Sequence, residues 1–440
     1  MSLREQIEQE IRQHGPIPFS RYMQLCLYHP VHGYYSRNAE QFGKAGDFYT
    51  SSDVHAVFGR LLARQFEEIW QALDRPPQIE ILELGPGRGL FASDVLDWSN
   101  KKFQDFFAAL TYTLQESSPA LQAKLQDTLS RHIAAGKAKV SEEVPKKEVP
   151  KKAPAKVPEE RPNLAHRFSG GSKAEEAQVP EGRPTGPCRT LAPEVPLIVF
   201  ANEFFDALPV EILSAQGKLH LALEDNRLQE VWLPPLAEEL EFLDHYGVHP
   251  EANSDQHERI EVPIQAQHWI RQIAPLLHQG VLLIVDYGYT RNEQLAGRHR
   301  GTLMAYRQHS ASADPYQSPG EQDLTAHVNF TALAAACEQA GMQCEKLRTQ
   351  SQFLLGIGES TQFADAFEDC RVPQERAKVA LQLKHLVTPV GMGETFQVLM
   401  ASRGIDSNKV SRLGGLSFGA SSRLSVTRRP KDNRDPATES

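Results

Sequence analysis

The sequence predicts an α/β fold built on a doubly wound, mostly parallel sheet, and three features carry that expectation. Residues 78–89, QIEILELGPGRG, run through apolar positions into Glu83 and then meet Gly85, Gly87 and Gly89. This is the pattern of a buried first strand, a tight turn and a helix start. Residues 112–116, YTLQE, read as a second strand ending in a carboxylate, one helix and its loops later. Apolar runs at 197–201 and 280–285 then end on Asn202-Glu203 and on Asp286, which continues the βαβ rhythm.

The elements follow in order. Leu3, Ile7 and Ile11 recur at helical spacing over 3–14, and Pro16 and Pro18 end that helix. A second helix over 19–27 stops at His29-Pro30. Residues 46–52 lack periodicity and read as a loop. Residues 53–73 carry a long apolar stripe, with Asp53 placed to cap it. Residues 210–213 and 219–223, separated by AQGK, read as a hairpin, and 228–233 as a further short strand. Helices are expected over 268–277, 330–340, 363–370 and 375–386, and 396–400 reads as a final strand among late antiparallel additions. Four segments result: a helical preamble with a loop over 1–75, a core over 76–135 and 193–403, an insertion over 136–192 and a tail over 404–440. The insertion is rich in Lys, Pro and Glu and the tail in Ser, Gly and Arg, so both are expected to be disordered.

The chain has 440 residues and a formal net charge of −9, which speaks against broad nucleic-acid binding. No apolar run approaches the roughly 20 residues needed to span a bilayer. The N-terminal residues lack a signal-peptide core and are too rich in glutamate for an organellar transit peptide, so a cytoplasmic location is expected. Five scattered cysteines show no metal-ligand spacing, and no metal is expected.

The glycine spacing lacks the Lys-Ser/Thr pair of a P-loop, and its third glycine falls one residue early for G-x-G-x-x-G. A carboxylate before the first glycine would repel a pyrophosphate but can pair with the cationic amino-acid part of S-adenosylmethionine. Glu116 stands where an acidic side chain reaches ribose hydroxyls, a role shared by nicotinamide and S-adenosylmethionine sites. Glu83, Gly85, Gly87, Gly89, Glu116, Asn202 and Asp286 are therefore the cofactor-binding candidates from the strand ends. In NEFFD, Glu203 and Asp206 can grip a guanidinium if the segment turns so that they share a face. Asp206 can instead cap the turn before Pro209. His309 and His327 are proton-acceptor candidates, or structural histidines bonded to backbone.

The blocks CLYHPVHGYYS (26–36), GDFYTSSDV (46–54), ELGPGRG (83–89), ANEFFDALPV (201–210), VDYGY (285–289), GTLMAYRQH (301–309) and DLTAHVNF (323–330) occur in that order. In them the chain resembles the class I S-adenosylmethionine-dependent methyltransferases of the MidA type, over most of residues 1 to 400. The resemblance implies a Rossmann-like, seven-stranded-type sheet with N-terminal helices and a mainly helical substrate-side region. It also implies that 46–52 lies over the cofactor, with Tyr49 or Thr50 at the methionine end. The family block at His327 usually continues to an aspartate, where this chain has Asn329.

The leading expectation is an S-adenosylmethionine-dependent protein arginine methyltransferase, with a respiratory NADH dehydrogenase subunit as the substrate that the resemblance suggests. A small-molecule or RNA methyltransferase, a non-catalytic assembly factor that keeps the cofactor pocket, and a nicotinamide oxidoreductase are the alternatives. Expected partners are the cofactor and a protein substrate, with homodimer formation left open, and neither nucleic acid nor membrane insertion is expected.

Overall fold

The computed structural model describes residues 1–37, 56–142, 195–250, 258–296, 301–307, 310–312 and 314–418. Its central sheet is made of β1 (Ile79–Leu84), β2 (Leu110–Gln115), β3 (Ala138–Ser141), β4 (Leu197–Asn202), β5 (Gly280–Tyr289), β6 (Gln343–Cys344) and β7 (Phe396–Arg403). They lie side by side in the order β3-β2-β1-β4-β5-β7-β6. β1 to β5 are parallel, and β7 enters antiparallel between β5 and β6. Two-residue strands, Val328–Asn329 on β5 and Arg348–Thr349 on β7, bring the sheet to nine. The doubly wound sheet is thus the expected one. The chain builds outward from β1 through β2 to β3 and then returns to the other side of β1 with β4. That reversal opens a crevice at the strands' carboxyl ends, where ligands of such sheets bind.

The strands are buried on both faces, and alternate residues feed opposite layers. Ile198, Phe200, Val281, Leu283 and Val285 point to one core, and Val199, Ala201, Leu282 and Ile284 to the other. The helices α1 (Leu3–His14), α2 (Phe19–Tyr28), α3 (Tyr34–Arg37), α4 (Ala56–Ala72) and α5 (Leu90–Lys102) precede or follow β1. Helix α4 buries Leu61, Leu62, Phe66 and Ile69 in the first core, which it shares with α5. The second core is covered by the helices Ile264–Ile273 and Phe330–Gln339.

The preamble packs elsewhere. Ser2 caps α1 in a reciprocal box with Glu5. Ile7, Phe19, Tyr22 and Met23 meet Ile212, Leu219 and Leu221 of an accessory antiparallel sheet. That sheet orders Ile17–Pro18, Gly217–Glu224, Glu211–Ser214 and Ile260–Val262, with Arg227–Leu233 added on Gly217–Glu224. The expected hairpin and its third strand are present, but Ile17-Pro18, read as a helix stop, also forms a strand. Buried Lys218 ties the sheet to the helix Ala237–Tyr246 by pairing with both Glu211 and Glu239.

Two boundaries move. Residues 138–141 fall inside the expected insertion but extend the sheet as β3, because Tyr112–Gln115 offers them an open parallel edge. The rest of that insertion that was to be disordered, 143–192, lies outside the described residues. Residues 404–418 are packed rather than a free tail. Val410, Leu413 and Leu416 enter the first core, and Gly414 and Gly415 donate their N–H groups to Glu68 and Gln65 at 2.7 and 2.8 Å. Residues 419–440 lie outside the described residues.

Each of those three buried side chains contributes roughly 1.5–3 kcal/mol, so together about 5–9 kcal/mol, a large share of a typical folding free energy. Ending the chain at Arg403 is therefore expected to lower the urea midpoint of unfolding markedly. An unchanged midpoint would show that this packing is peripheral.

Candidate functional site

One cleft occupies the crevice at the carboxyl ends of β1, β2 and β4, and its walls join two groups of residues. The first comes from the strand–turn–helix at β1. Gly85, Gly87 and Gly89 all have positive φ, at 63°, 54° and 76°. A Cβ on Gly85 would stand 2.8 Å from the Phe204 ring, so the loop can lie under that ring only as glycine. The turn closes through Gly89 N–H to Pro86 O, and α5 begins at once, which aims a helix N-terminus at the cleft.

Glu83 is 4% exposed and lines the cleft, and the Tyr112 hydroxyl of β2 donates to its Oε2 at 2.9 Å. Burial pushes its carboxyl up to about 8, against the pull of that hydroxyl. Glu116, just past β2, also lines the cleft and accepts from Ser118 N–H at 2.8 Å. Burial raises it to about 7. Both carboxyls are thus kept dry at the wall of the cleft, where a ligand's cation or hydroxyl donor can reach them.

The second group hangs from β4. Asn202 Nδ2 donates to Glu203 Oε1 at 3.1 Å, and both residues line the cleft. Glu203 has φ 49°, a left-handed conformation that costs a non-glycine residue about 1 kcal/mol or more. The next residues turn tightly, so Glu203 and Asp206 both reach the same cleft. The Tyr287 hydroxyl donates to Asp206 Oδ2, and burial lifts Asp206 to about 6. Asn202 Oδ1 and Asp206 Oδ1 are buried without a hydrogen-bond partner among the described residues. Such atoms are costly unless a ligand meets them.

Several expected residues lie elsewhere. Asp286 ends its apolar run as expected, but it is fully buried and does not line the cleft. Its Oδ2 accepts the N–H groups of Phe204, Phe205 and Asp206, and its Oδ1 that of Tyr287. A carboxylate so engaged holds the turn and cannot hold the cofactor. His327 lies outside the cleft walls, its ring edge-on to Tyr287 at 5.3 Å and its N–H bonded to Thr302. Asn329 is 2% exposed and caps the helix Phe330–Gln339, with Oδ1 accepting from Ala332 N–H and Nδ2 donating to Tyr246 O. Asparagine caps a helix as well as aspartate does, so the departure falls outside the reaction site. Tyr49, Thr50 and His309 lie outside the described residues, as does the Asp53 cap.

The cleft also contains residues the sequence did not single out. Tyr28, Tyr34 and Tyr35 reach it from α2 and α3, Phe204 and Trp269 pack edge-to-face at 5.0 Å, and Asp323 enters from the strand Asp323–Thr325. The Tyr-Tyr pair following His29-Pro30, and an aspartate opening an apolar segment, were the available signals.

A glycine cradle at the first strand end, carboxylates at the first and second, and polar groups at the fourth define a class I S-adenosylmethionine-dependent methyltransferase. A model of the family described as "Putative S-adenosyl-L-methionine-dependent methyltransferase" matches residues 61–348, and the chain belongs to that family. It is similar to the Drosophila melanogaster homolog of the mitochondrial protein arginine methyltransferase NDUFAF7, 28% identical over 426 residues, which are 92% of this chain and 85% of the relative. The human NDUFAF7 is 26% identical, over 88% of this chain and 80% of its own. A COG1565 superfamily member from Burkholderia thailandensis, solved with S-adenosyl-homocysteine bound, superposes with a TM-score of 0.70 at 26% identity and covers 94% of both chains.

These relatives correct one expectation. They are named mitochondrial, which overturns the cytoplasmic location read from the N-terminus. Among the described residues, no helix is long and apolar enough to cross a membrane.

The residues present fit S-adenosylmethionine. Gly85 to Gly89 admit a close ligand, Glu83 can face its ammonium, Glu116 its ribose, and Asn202 Oδ1 lacks a partner among the described residues. Two outcomes follow. Replacing Glu116 with alanine is expected to weaken S-adenosylhomocysteine binding roughly 10- to 100-fold without unfolding, the scale of hydrogen bonds to a charged group. Unchanged affinity by isothermal titration would remove the ribose role. Glu83 is raised in the fold, so its contribution to stability is full below the ordinary carboxylate range and is lost as pH rises through about 8. Glu83→Gln removes this loss. Without cofactor, the variant should melt higher than the parent at about pH 9 and alike at about pH 5, while binding the cofactor more weakly. Parallel melting curves across that range would refute a buried ionising Glu83.

Proposed function

We propose that this methyltransferase acts on protein arginine, with a subunit of a respiratory NADH dehydrogenase as its substrate. The observation that carries the reading is the acidic turn after β4. Glu203 and Asp206 enter the same cleft as the cofactor residues, and Asp206 keeps a buried oxygen without a partner among the described residues. The relatives named protein arginine methyltransferases support it, matched over 85% and 80% of their own length.

The bound cofactor supplies an electrophilic methyl group. The protein's part is to present a nitrogen in line, exclude water and receive the proton that the nitrogen loses. Two carboxylates suit a guanidinium, because its planar fork donates pairs of charge-assisted hydrogen bonds. Phe204 and Trp269 supply a dry wall beside Glu203. Asp206, lifted to about 6 and fixed by Tyr287, can take up a proton near neutral pH.

Incubation of the protein with radiolabelled S-adenosylmethionine and a lysate lacking the native enzyme tests this directly. Mass spectrometry of the labelled band is expected to place the methyl on arginine. Label on RNA, on a small molecule or on another side chain would overturn the reading. Glu203→Gln keeps size and removes charge, so cofactor affinity should hold while methyl transfer falls roughly 10²-fold. Near-normal turnover would leave Glu203 only as an anchor of its turn.

A further inference from the structure

The acceptor side of the cleft holds a third carboxylate. Asp323 is 4% exposed and lines the cleft, and the Tyr35 hydroxyl of α3 donates to its Oδ1 at 2.9 Å. Its strand is tied to the β4 turn, since Ala326 N–H donates to the Asp206 carbonyl at 2.9 Å. Tyr35 senses both acids. Burial first, and then Asp323 and Asp206 among its neighbours, push its phenol well above the usual range.

The charged residues in the described walls of the cleft are mostly acidic. Its described walls carry five carboxyl residues, Glu83, Glu116, Glu203, Asp206 and Asp323, and Arg88 as the single lysine or arginine. Arg88 sits on the glycine loop at the cofactor end. The cofactor brings one net positive charge, which Glu83 can meet. Asp206 and Asp323 line the same cleft, so a cationic group that enters it can meet both carboxyls.

We propose that Asp323 and Asp206 form a carboxylate pair that grips the cationic side chain of the methyl acceptor, with Tyr35 fixing Asp323 for that task. This rests on the cationic-acceptor reading above and assigns its binding energy. The pair joins three separated parts of the chain, so helix α3 is part of the acceptor site as well as of the preamble. Asp323 touches the acceptor, and Tyr35 is a positioning residue.

The test uses the full-length protein, and as acceptor the protein that the lysate labelling identifies. For Asp323→Asn, the thermal midpoint and S-adenosylhomocysteine affinity should stay at parental values. The acceptor KM should rise roughly tenfold or more, with a smaller change in kcat. Added salt should raise the parental KM more steeply than the variant's, because a charge pair has been lost. For Tyr35→Phe, the KM should rise roughly threefold and the salt dependence should persist. A folded Asp323→Asn protein with parental KM overturns the proposal. If Asp323→Asn fails to fold, a parental KM for Tyr35→Phe overturns it, and a raised KM with retained salt dependence upholds it. The site of the label separates the two ideas. Label on arginine with a neutral Asp323→Asn defeats only the pair, whereas label on an uncharged side chain defeats the arginine reading itself.

Discussion

The half of the cleft that follows β4 hangs from the Asp286 carboxylate. It is fully buried within β5, short of that strand's end at Tyr289, and its own burial and then the charges of Asp206 and Glu203 raise its pKa. Four backbone N–H groups offset that cost, three of them from consecutive residues of the turn after β4. Hydrogen bonds to a charged group contribute about 1.5–3 kcal/mol each, more in sum than the 1–3 kcal/mol of one left-handed residue. The turn can therefore hold Glu203 at φ 49° and still stand as one conformation. Glu203 N–H to Val285 O fixes the same corner from the neighbouring strand.

The two halves of the cleft are held differently. The cofactor half is local: Glu83 to Gly89 form one strand–turn–helix, and Tyr112 and Glu116 come from the adjacent strand. The half beside the β4 turn is assembled from distant segments. Tyr28 donates to the Ala207 carbonyl and Tyr35 to Asp323, so hydroxyls of the preamble are pinned to the far side of the crevice. A fold can keep the first half and exchange the second, which is how one architecture hosts many methyl acceptors.

That difference governed what the sequence revealed. The glycine loop, Glu83 and Glu116 follow from short-range spacing, because one local motif imposes both conformation and chemistry. The apolar runs gave the strands for the same reason. Asp286 shows where the reasoning stops. A strand-end carboxylate looks the same whether it faces a ligand or three amides of a neighbouring turn, and only the register of β4 against β5 decides. Tyr35 and Asp323 lie 288 residues apart, and no spacing rule joins them. Asn329 shows the same limit, since a helix cap and a reactive polar side chain share the same residue types. Leu413 and Leu416 sit among serines and glycines, whose composition hid a packed segment.

The position of β7 has a consequence for the growing chain. This strand pairs with β5 along eight residues, from Gly280 opposite Arg403 to Tyr287 opposite Phe396, yet it is made more than a hundred residues later. Until then one hydrogen-bonding edge of this buried strand has no β7 to cover it. Synthesis at roughly 5–20 residues per second leaves that edge open for several seconds. Nascent chains of this enzyme thus pass through an interval in which they are prone to pair with one another, and holding them apart is a task for chaperones at the ribosome.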